Sequence, residues 1–418
     1  MSEKRRVVIT GIGATSPFGV GVDIFWNNLK AGKSGIKVGT LIDVTNHYTK
    51  IFGECSNYNP LDYFNPKEAK RLDRYIQLGV VAAHEAYKDS GLTENSVAPF
   101  RFGVYAGSAA GGMWTTEIQH LALINKGHGK CSPYTVPMQI VNMGAGKIAM
   151  DFKAKGPNKA VVTACATGAH CIGDAYRTIQ YNDADVMIAG GMDAPISNIA
   201  VGGFTAARTL SRRNDEPEKA SRPYDRDRDG FVMSEGGGIL VLEELEHAKN
   251  RNAKIYCEIV GFGMTCDAYD IVAPDPEGDG IAEAMKLSLK EAGLQPSDID
   301  YINAHGTSTH VGDLAEIKAI EKVFADNLTK GLMISSTKSM HGHLLGGSGA
   351  VESIACIKAM QEGIVPPTIN LDNPDEALPK GIDLVPNIPR KAEVNVALNN
   401  SFGFGGHNAS LIFKKYVE

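Results

Sequence analysis

The chain has 418 residues, 43% hydrophobic and 22% charged, enough for two or three domain-sized cores or one large two-part fold. A net charge of −6 argues against a general nucleic-acid binder but leaves room for a local basic patch that meets an acidic partner. Seven cysteines without framework spacing, no signal-peptide core and no apolar run of membrane-spanning length read as a soluble cytoplasmic protein without membrane insertion.

Val7-Val8-Ile9-Thr10 predicts a short buried strand, and Gly11-Ile12-Gly13-Ala14-Thr15 a tight turn. That turn is not a dinucleotide loop. A lone GxG is weak, and Pro17-Phe18-Gly19 stands where the phosphate-binding helix would start. A short helix is expected from Asp23 to Ala31. Pro66 opens a helix expected to run through Tyr75 to about Ser90. Its start carries Lys67, Lys70, Arg71 and Arg74 at three- and four-residue spacing, which puts them on one face. Such a run is more often a solvated surface than a binding site. Phe102–Gly107 reads as a strand, Ser108-Ala109-Ala110-Gly111-Gly112 as a flexible turn, and about Met113 to Met150 as a helical and irregular insertion.

Val161-Val162-Thr163 reads as the end of a buried strand. From Gly168, the residues Ala169, Ile172, Ala175, Tyr176 and Ile179 recur at helical spacing. Cys165 therefore sits at a strand-to-helix turn, near the first free amides of the helix. The dipole there favours thiolate, small neighbours leave room for a carbonyl, and backbone N–H groups are placed to hold an oxyanion. A buried structural cysteine is the commoner fate of a free thiol. Asp185–Gly191 and Gly238–Leu242 are further strands. Between them, Ser221–Phe231 has Asp spacing like part of a calcium loop without the complete pattern.

The chain then begins again. Lys88-Asp89-Ser90-Gly91-Leu92 before strand Phe102–Gly107 is echoed by Lys290-Glu291-Ala292-Gly293-Leu294 before strand Tyr301–Ala304. The Cys165 unit has a counterpart in strand Ile334–Ser336, turn Thr337–Gly342 and helix Leu344–Met360. Two similar halves are expected, residues 1–254 and 255–418. The second half supplies His305 at a strand's end, and Lys338 and His343 at a helix start. A pseudo-twofold stack brings these ends to face Cys165. His341 and His343 are only two apart, and no Cys pair has zinc spacing, so no metal is expected. Ser401–Asn408 is a Gly-rich turn before the strand Ser410–Phe413.

Four ordered motifs now stand together: Thr163-Ala164-Cys165-Ala166, His305-Gly306-Thr307-Ser308-Thr309, Lys338-Ser339-Met340-His341-Gly342-His343, and Gly403-Phe404-Gly405-Gly406. With them the chain, from Val7 to Phe413, resembles the β-ketoacyl-acyl-carrier-protein synthases of the condensing-enzyme group. Lys338-Ser339-Met340 leans to the type II branch. The resemblance implies a thiolase-like α/β fold, two α-β-α halves on a pseudo-twofold forming five layers, αβαβα. It implies decarboxylative condensation of malonyl-carrier with an acyl group on Cys165, without metal or organic cofactor, in a homodimer served by an acyl-carrier protein. His305 and His343 would donate to the enolate oxygen. The amides of Cys165 and Phe404 would hold the oxyanion, and Phe404 would gate the thiol. Lys338 would be a fixed positive charge acting with Glu316 and Asp313. Ala110, Thr307, Thr309 and Phe402 would meet substrate, and Lys67, Lys70, Arg71 and Arg208 would dock the carrier.

Departures from the family pattern are His310 for Pro, His341 for Thr, His407 for Thr, and Val272 where a Thr usually touches pantetheine. A thiolase is disfavoured because the last cysteine, Cys356, lies within a helix. A chain-length-factor partner is disfavoured because Cys165 is present, and a papain-like protease because the Cys-Trp context is absent. A ketosynthase of polyketide or specialised lipid assembly stays open at this point.

Overall fold

In the computed structural model, which describes residues 4–417, the architecture rests on these elements: β1 (Val7–Ser16), α1 (Arg74–Ser90), β2 (Phe102–Gly107), α2 (Met113–Lys126), β3 (Asn158–Lys159), α3 (Thr167–Gln180), β4 (Val186–Asp193), β5 (Gly236–Glu244), β6 (Cys257–Cys266), α4 (Asp279–Ala292), β7 (Tyr301–Asn303), α5 (His310–Phe324), β8 (Met333–Ser335), α6 (Ser348–Glu362), β9 (Val396–Gly403) and β10 (His407–Lys414). The strands run in the order β8-β7-β9-β10-β6-β1-β5-β4-β2-β3. This path is one five-strand pattern used twice. In each half the first strand pairs antiparallel with the last, and the last antiparallel with the fourth. The fourth then lies parallel to the second, and the second parallel to the third. The two copies join where Val7–Ile9 of β1 pairs with Cys257–Ile259 of β6.

The strands are apolar on both faces because both faces are covered. In β5, Leu240 and Leu242 point into a central core with Ile172, Ile179, Ile354 and Ile357 of α3 and α6. Ile239 and Val241 point the other way, to an outer core with Leu78 and Val81 of α1. The second half repeats this, with Ile412 and Leu398 facing Met285 of α4 and Ile320 of α5. The result is five layers, αβαβα, with α3 and α6 shared in the middle.

Those two middle helices cross at their N-termini, and glycine makes the approach possible. A Cβ on Gly168 would lie 2.7 Å from the Gly346 oxygen, and one on Gly349 would lie 3.0 Å from the Ala169 nitrogen. The segments before the two helices carry Cys165 and His343, so this crossing brings the two halves' chemistry together.

Three local expectations fail for identifiable reasons. The turn expected over Gly11–Thr15 is continuous strand within β1, and its glycines serve close packing: a Cβ on Gly13 would lie 2.0 Å from the Ala82 oxygen of α1. Val161–Thr163 is irregular chain, since the ladder of β3 stops at Lys159 and Val162 is exposed. The helix expected to run unbroken from Pro66 to Ser90 is two helices, Pro66–Ala69 and α1. Asp73 is the cause: its carboxylate caps α1 by accepting from the Tyr75 N–H, while its other oxygen accepts from the Thr115 N–H and hydroxyl of α2. Lys67, Lys70, Arg71 and Arg74 therefore do not share one helical face.

Candidate active site

Each predicted chemical group follows the C-terminal end of a parallel strand, or, for Phe404, the end of β9. These ends open on one cavity of about 570 Å³. This is where ligands bind in sheets of this kind.

Cys165 occupies a single tight turn, Ala164–Ala166, just ahead of α3. Ala164 has φ 49°, the left-handed region that a residue with a Cβ rarely adopts. The turn is held from both sides. The Thr163 N–H donates to Thr167 Oγ1 at 2.9 Å, and Thr163 Oγ1 lies 2.8 Å from His170 Nδ1. Gly403 backs it: a Cβ there would sit 2.5 Å from the Thr163 oxygen and 3.0 Å from the Cys165 nitrogen. The amides of Phe404 and of Cys165 itself favour the charged form of the sulfur. Burial pushes the Cys165 thiol up to about 12, opposed by the Lys338 charge and these amides and reinforced by the Asp193 carboxylate. Desolvation thus works against the helix start, which favours the thiolate.

His305 and His343 meet edge to face, with ring centroids 5.3 Å apart. Burial holds both imidazoles well below the usual histidine value, and the Lys338 charge lowers both further. Both are neutral, so the tautomer decides what they offer. Lys338 Nζ lies 3.4 Å from His305 Nδ1, and an ammonium only donates, so Nδ1 accepts and the proton sits on Nε2. Ser348 Oγ accepts from the Leu344 N–H at 2.9 Å and lies 2.9 Å from His343 Nδ1. With that hydroxyl donating to Nδ1, His343 carries its proton on Nε2 and the two rings are matched N–H donors.

Lys338 itself is 1% exposed and does not line the cavity. Its ion-pair partner is the fully buried Glu352 of α6, at 2.5 Å, and not Glu316 as expected. Glu316 instead accepts the N–H groups of His305 and Gly306, each at 2.8 Å, and burial pushes its carboxyl up to about 7. Asp313 accepts the Ser308 and Tyr224 N–H groups and faces the buried Arg228 at 3.4 Å. Arg228 also donates to the carbonyls of Asp225, Thr309 and His310 and to Asp375. The charged loop that looked like part of a calcium site thus supplies a guanidinium that fixes Thr307–His310. Arg228→Met should cost about 3–5 kcal/mol in chemical denaturation, because Asp313 stays buried without its partner. A loss below about 1 kcal/mol would mean the pair is replaceable.

Ala110, Thr307, Thr309, Phe402, Phe404 and Arg208 all line the cavity, with Val272 and His310. Phe402 packs on His305 at 5.5 Å, and Phe404 on Phe204 at 6.1 Å. Lys67, Lys70 and Arg71 are exposed and lie outside the cavity lining. Arg74 leaves the basic group: it turns inward and grips the buried Glu235 with two bonds of 2.6 Å. His341 faces away from the cavity. Its Nδ1 donates to the Gly342 carbonyl at 2.7 Å, its Nε2 accepts from Thr337 Oγ1 at 3.0 Å, and burial holds it at about 3. It is a satisfied core histidine.

Comparison with known proteins agrees with this geometry. Residues 4–248 match the model of the β-ketoacyl synthase N-terminal domain, and residues 256–372 that of its C-terminal domain. The chain is 50% identical to 3-oxoacyl-[acyl-carrier-protein] synthase 2 of Vibrio cholerae, covering 99% of both chains. It is 48% identical to the protein of that name from Coxiella burnetii over the full length of both. Among solved structures, a β-ketoacyl synthase from Burkholderia phymatum superposes with TM-score 0.91 at 33% identity, covering 99% of this chain and 100% of that one. A type II polyketide ketosynthase, solved in complex with its acyl-carrier protein, superposes with the same TM-score, identity and coverage. The chain belongs to the β-ketoacyl synthase family.

Proposed function

We propose that this chain elongates fatty acids as a 3-oxoacyl-acyl-carrier-protein synthase, joining two carbons from malonyl-carrier to an acyl group held on Cys165. The observation that carries the reading is the meeting of one buried thiol and two buried imidazoles at one cavity. Sγ attacks the acyl-carrier thioester, the oxyanion accepts from the Cys165 and Phe404 amides, and the carrier thiol leaves with the proton. Malonyl-carrier then loses CO₂, and the electron pair of the broken C–C bond moves into an enolate. The enolate oxygen accepts from His305 and His343, which need donate only hydrogen bonds. The enolate carbon attacks the Cys165 thioester, and the sulfur leaves and recovers a proton. Lys338 fixes the His305 tautomer from behind, Glu352 balances its charge, and Phe404 gates the thiol.

The relatives at about half identity are named 3-oxoacyl-[acyl-carrier-protein] synthase 2, whereas the polyketide ketosynthase is 33% identical to this chain, which favours chain elongation of that kind over polyketide assembly. The division of labour follows the halves, 1–254 bringing the nucleophile and 255–418 the histidines and lysine. Ile118, Leu121 and Ile124 of α2 and the nearby Val136 are exposed apolar side chains, which a second copy would cover in a homodimer. No helix among the described residues is long and apolar enough to cross a membrane. Seven unpaired cysteines suit a reducing cytoplasm.

Carrier docking is assigned to Lys67, Lys70 and Arg71, with Arg208 at the cavity. Asn65 caps the short helix through the Lys67 and Glu68 N–H groups, and Lys147 pairs Glu68 at 2.8 Å. Glu68 is thereby occupied, and the cations are left to solvent and an acidic partner. Reversing Lys67 and Lys70 to Glu should raise the KM for acyl-carrier about five- to tenfold and flatten its salt dependence. Turnover of a small acyl thioester is the internal control. An equal loss on both substrates would place docking elsewhere.

A further inference from the structure

We propose that Asp193, at the end of β4, is a positioning residue that clamps two walls of the acyl cavity together and so sets how sharply the enzyme discriminates among acyl chains. The proposal rests on the reading of the Ala110 side of the cavity as the acyl pocket.

Asp193 is fully buried, and no residue of the motifs already described contacts its carboxylate. Four donors converge on it. Ser108 Oγ donates at 2.5 Å, and the N–H groups of Ala109 and Ala110 donate at 3.0 Å each. The N–H of Gly346 donates at 2.7 Å from the other half of the fold. Ala109 and Ala110 line the cavity, and so does Leu345, the neighbour of Gly346. One carboxylate therefore ties two cavity walls from separate halves, one beside Cys165 and one in the segment that follows His343.

The packing is too close to let either wall move while the bonds hold. A Cβ on Gly346 would lie 2.7 Å from Asp193 Oδ2 and 2.7 Å from the Ala109 nitrogen, and one on Gly191 would lie 2.0 Å from the Gly346 oxygen. Ser108 Oγ in turn accepts the Gly111 N–H at 2.8 Å, which closes the turn that presents Ala110. An ordinary structural carboxylate satisfies its own strand or helix. This one spends every bond on the two segments that meet at the cavity. Its charge also bears on the nucleophile, since Asp193 is among the groups that raise the Cys165 thiol while Lys338 lowers it.

Asparagine in place of the carboxylate keeps the shape but turns one acceptor into a donor that faces N–H groups, so the clamp opens. The experiment measures kcat/KM for acyl-carriers from butyryl to palmitoyl in wild type, Asp193→Asn, Asp193→Glu and Ser108→Ala. It also follows the pH dependence of Cys165 alkylation and thermal melting. In Asp193→Asn the spread between best and worst chain should narrow by about tenfold, as a yielding wall tolerates what a fixed one rejects. Ser108→Ala, which removes one arm, should narrow it less and in the same direction. The alkylation midpoint should fall in Asp193→Asn, where the buried negative charge is gone, and stay raised in Ser108→Ala. A merely structural aspartate would lower the melting temperature without narrowing the spread.

A folded Asp193→Asn with an unchanged spread overturns the proposal, whatever its alkylation midpoint. If that variant does not fold, an unchanged spread in both Ser108→Ala and Asp193→Glu overturns it. Ala110→Phe separates the two readings, because a ring there should shorten the longest accepted chain by overpacking the pocket. If Ala110→Phe leaves the cutoff in place, the pocket assignment fails. If it moves the cutoff and the Asp193 variants do not change the spread, the clamp alone fails.

Discussion

Cys165→Ala should lower condensation by at least about a thousandfold and abolish acyl transfer to the protein, because no other thiol stands where Cys165 does. The alternative nucleophile is Cys171, six residues further on and within α3. It is fully buried in the central core, and burial pushes its thiol up to about 12. Cys171→Ala should therefore leave loading intact. The two thiols are raised alike, so acidity does not separate them. Surroundings do: Cys165 has the Phe404 amide, the strained Ala164 turn and the cavity, and Cys171 has none of these. Intact mass with tryptic mapping after incubation with acyl-carrier reads the answer, and an adduct on Cys171 would sink the assignment.

His305→Ala and His343→Ala should each slow malonyl-carrier decarboxylation by about 10²- to 10³-fold, the cost of removing one preorganised oxyanion donor. Loading of Cys165 should survive in both, since neither ring is needed for the first acyl transfer. The sign of the pH effect follows from the burial of the rings. A histidine whose value is depressed is neutral at every pH above that value, so both rings stay neutral throughout pH 6 to 8. Nitrogen shifts of labelled histidine should show neutral Nε2–H tautomers for both at pH 6. A charged imidazolium there would remove the basis for calling them simple donors. Near-native decarboxylation in both Ala variants would remove their role altogether.

Cys165, His305, Lys338 and His343 were legible in the sequence because each lies in a local motif at a strand end, where residue type and turn chemistry stand side by side; Phe404 came from the family resemblance. The two-half repeat was legible too, since both halves use the same helix-Gly-strand unit, while the five layers came from the family resemblance. What stayed hidden depends on contacts between distant segments. Glu352 sits in an apolar helix 14 residues beyond Lys338, and nothing in its neighbourhood signals an ion pair. Arg74 and Glu235 are 161 residues apart, so Arg74 read as one more surface cation. Asp193 lay in a run of small and apolar residues, with its four donors in two other segments. The helix break before Arg74 did carry a signal, an Asp at the N-cap position, but the charge spacing across it overrode that reading.

The reaction itself is tested most directly with malonyl-carrier labelled with ¹³C in the free carboxyl group, added to protein already loaded with an acyl group on Cys165. One labelled CO₂ should be released for each acyl chain extended, with a 3-oxoacyl-carrier two carbons longer as product and the Cys165 adduct consumed. Extension that retained the label, or CO₂ release with no loss of the Cys165 adduct, would contradict decarboxylative condensation at this site.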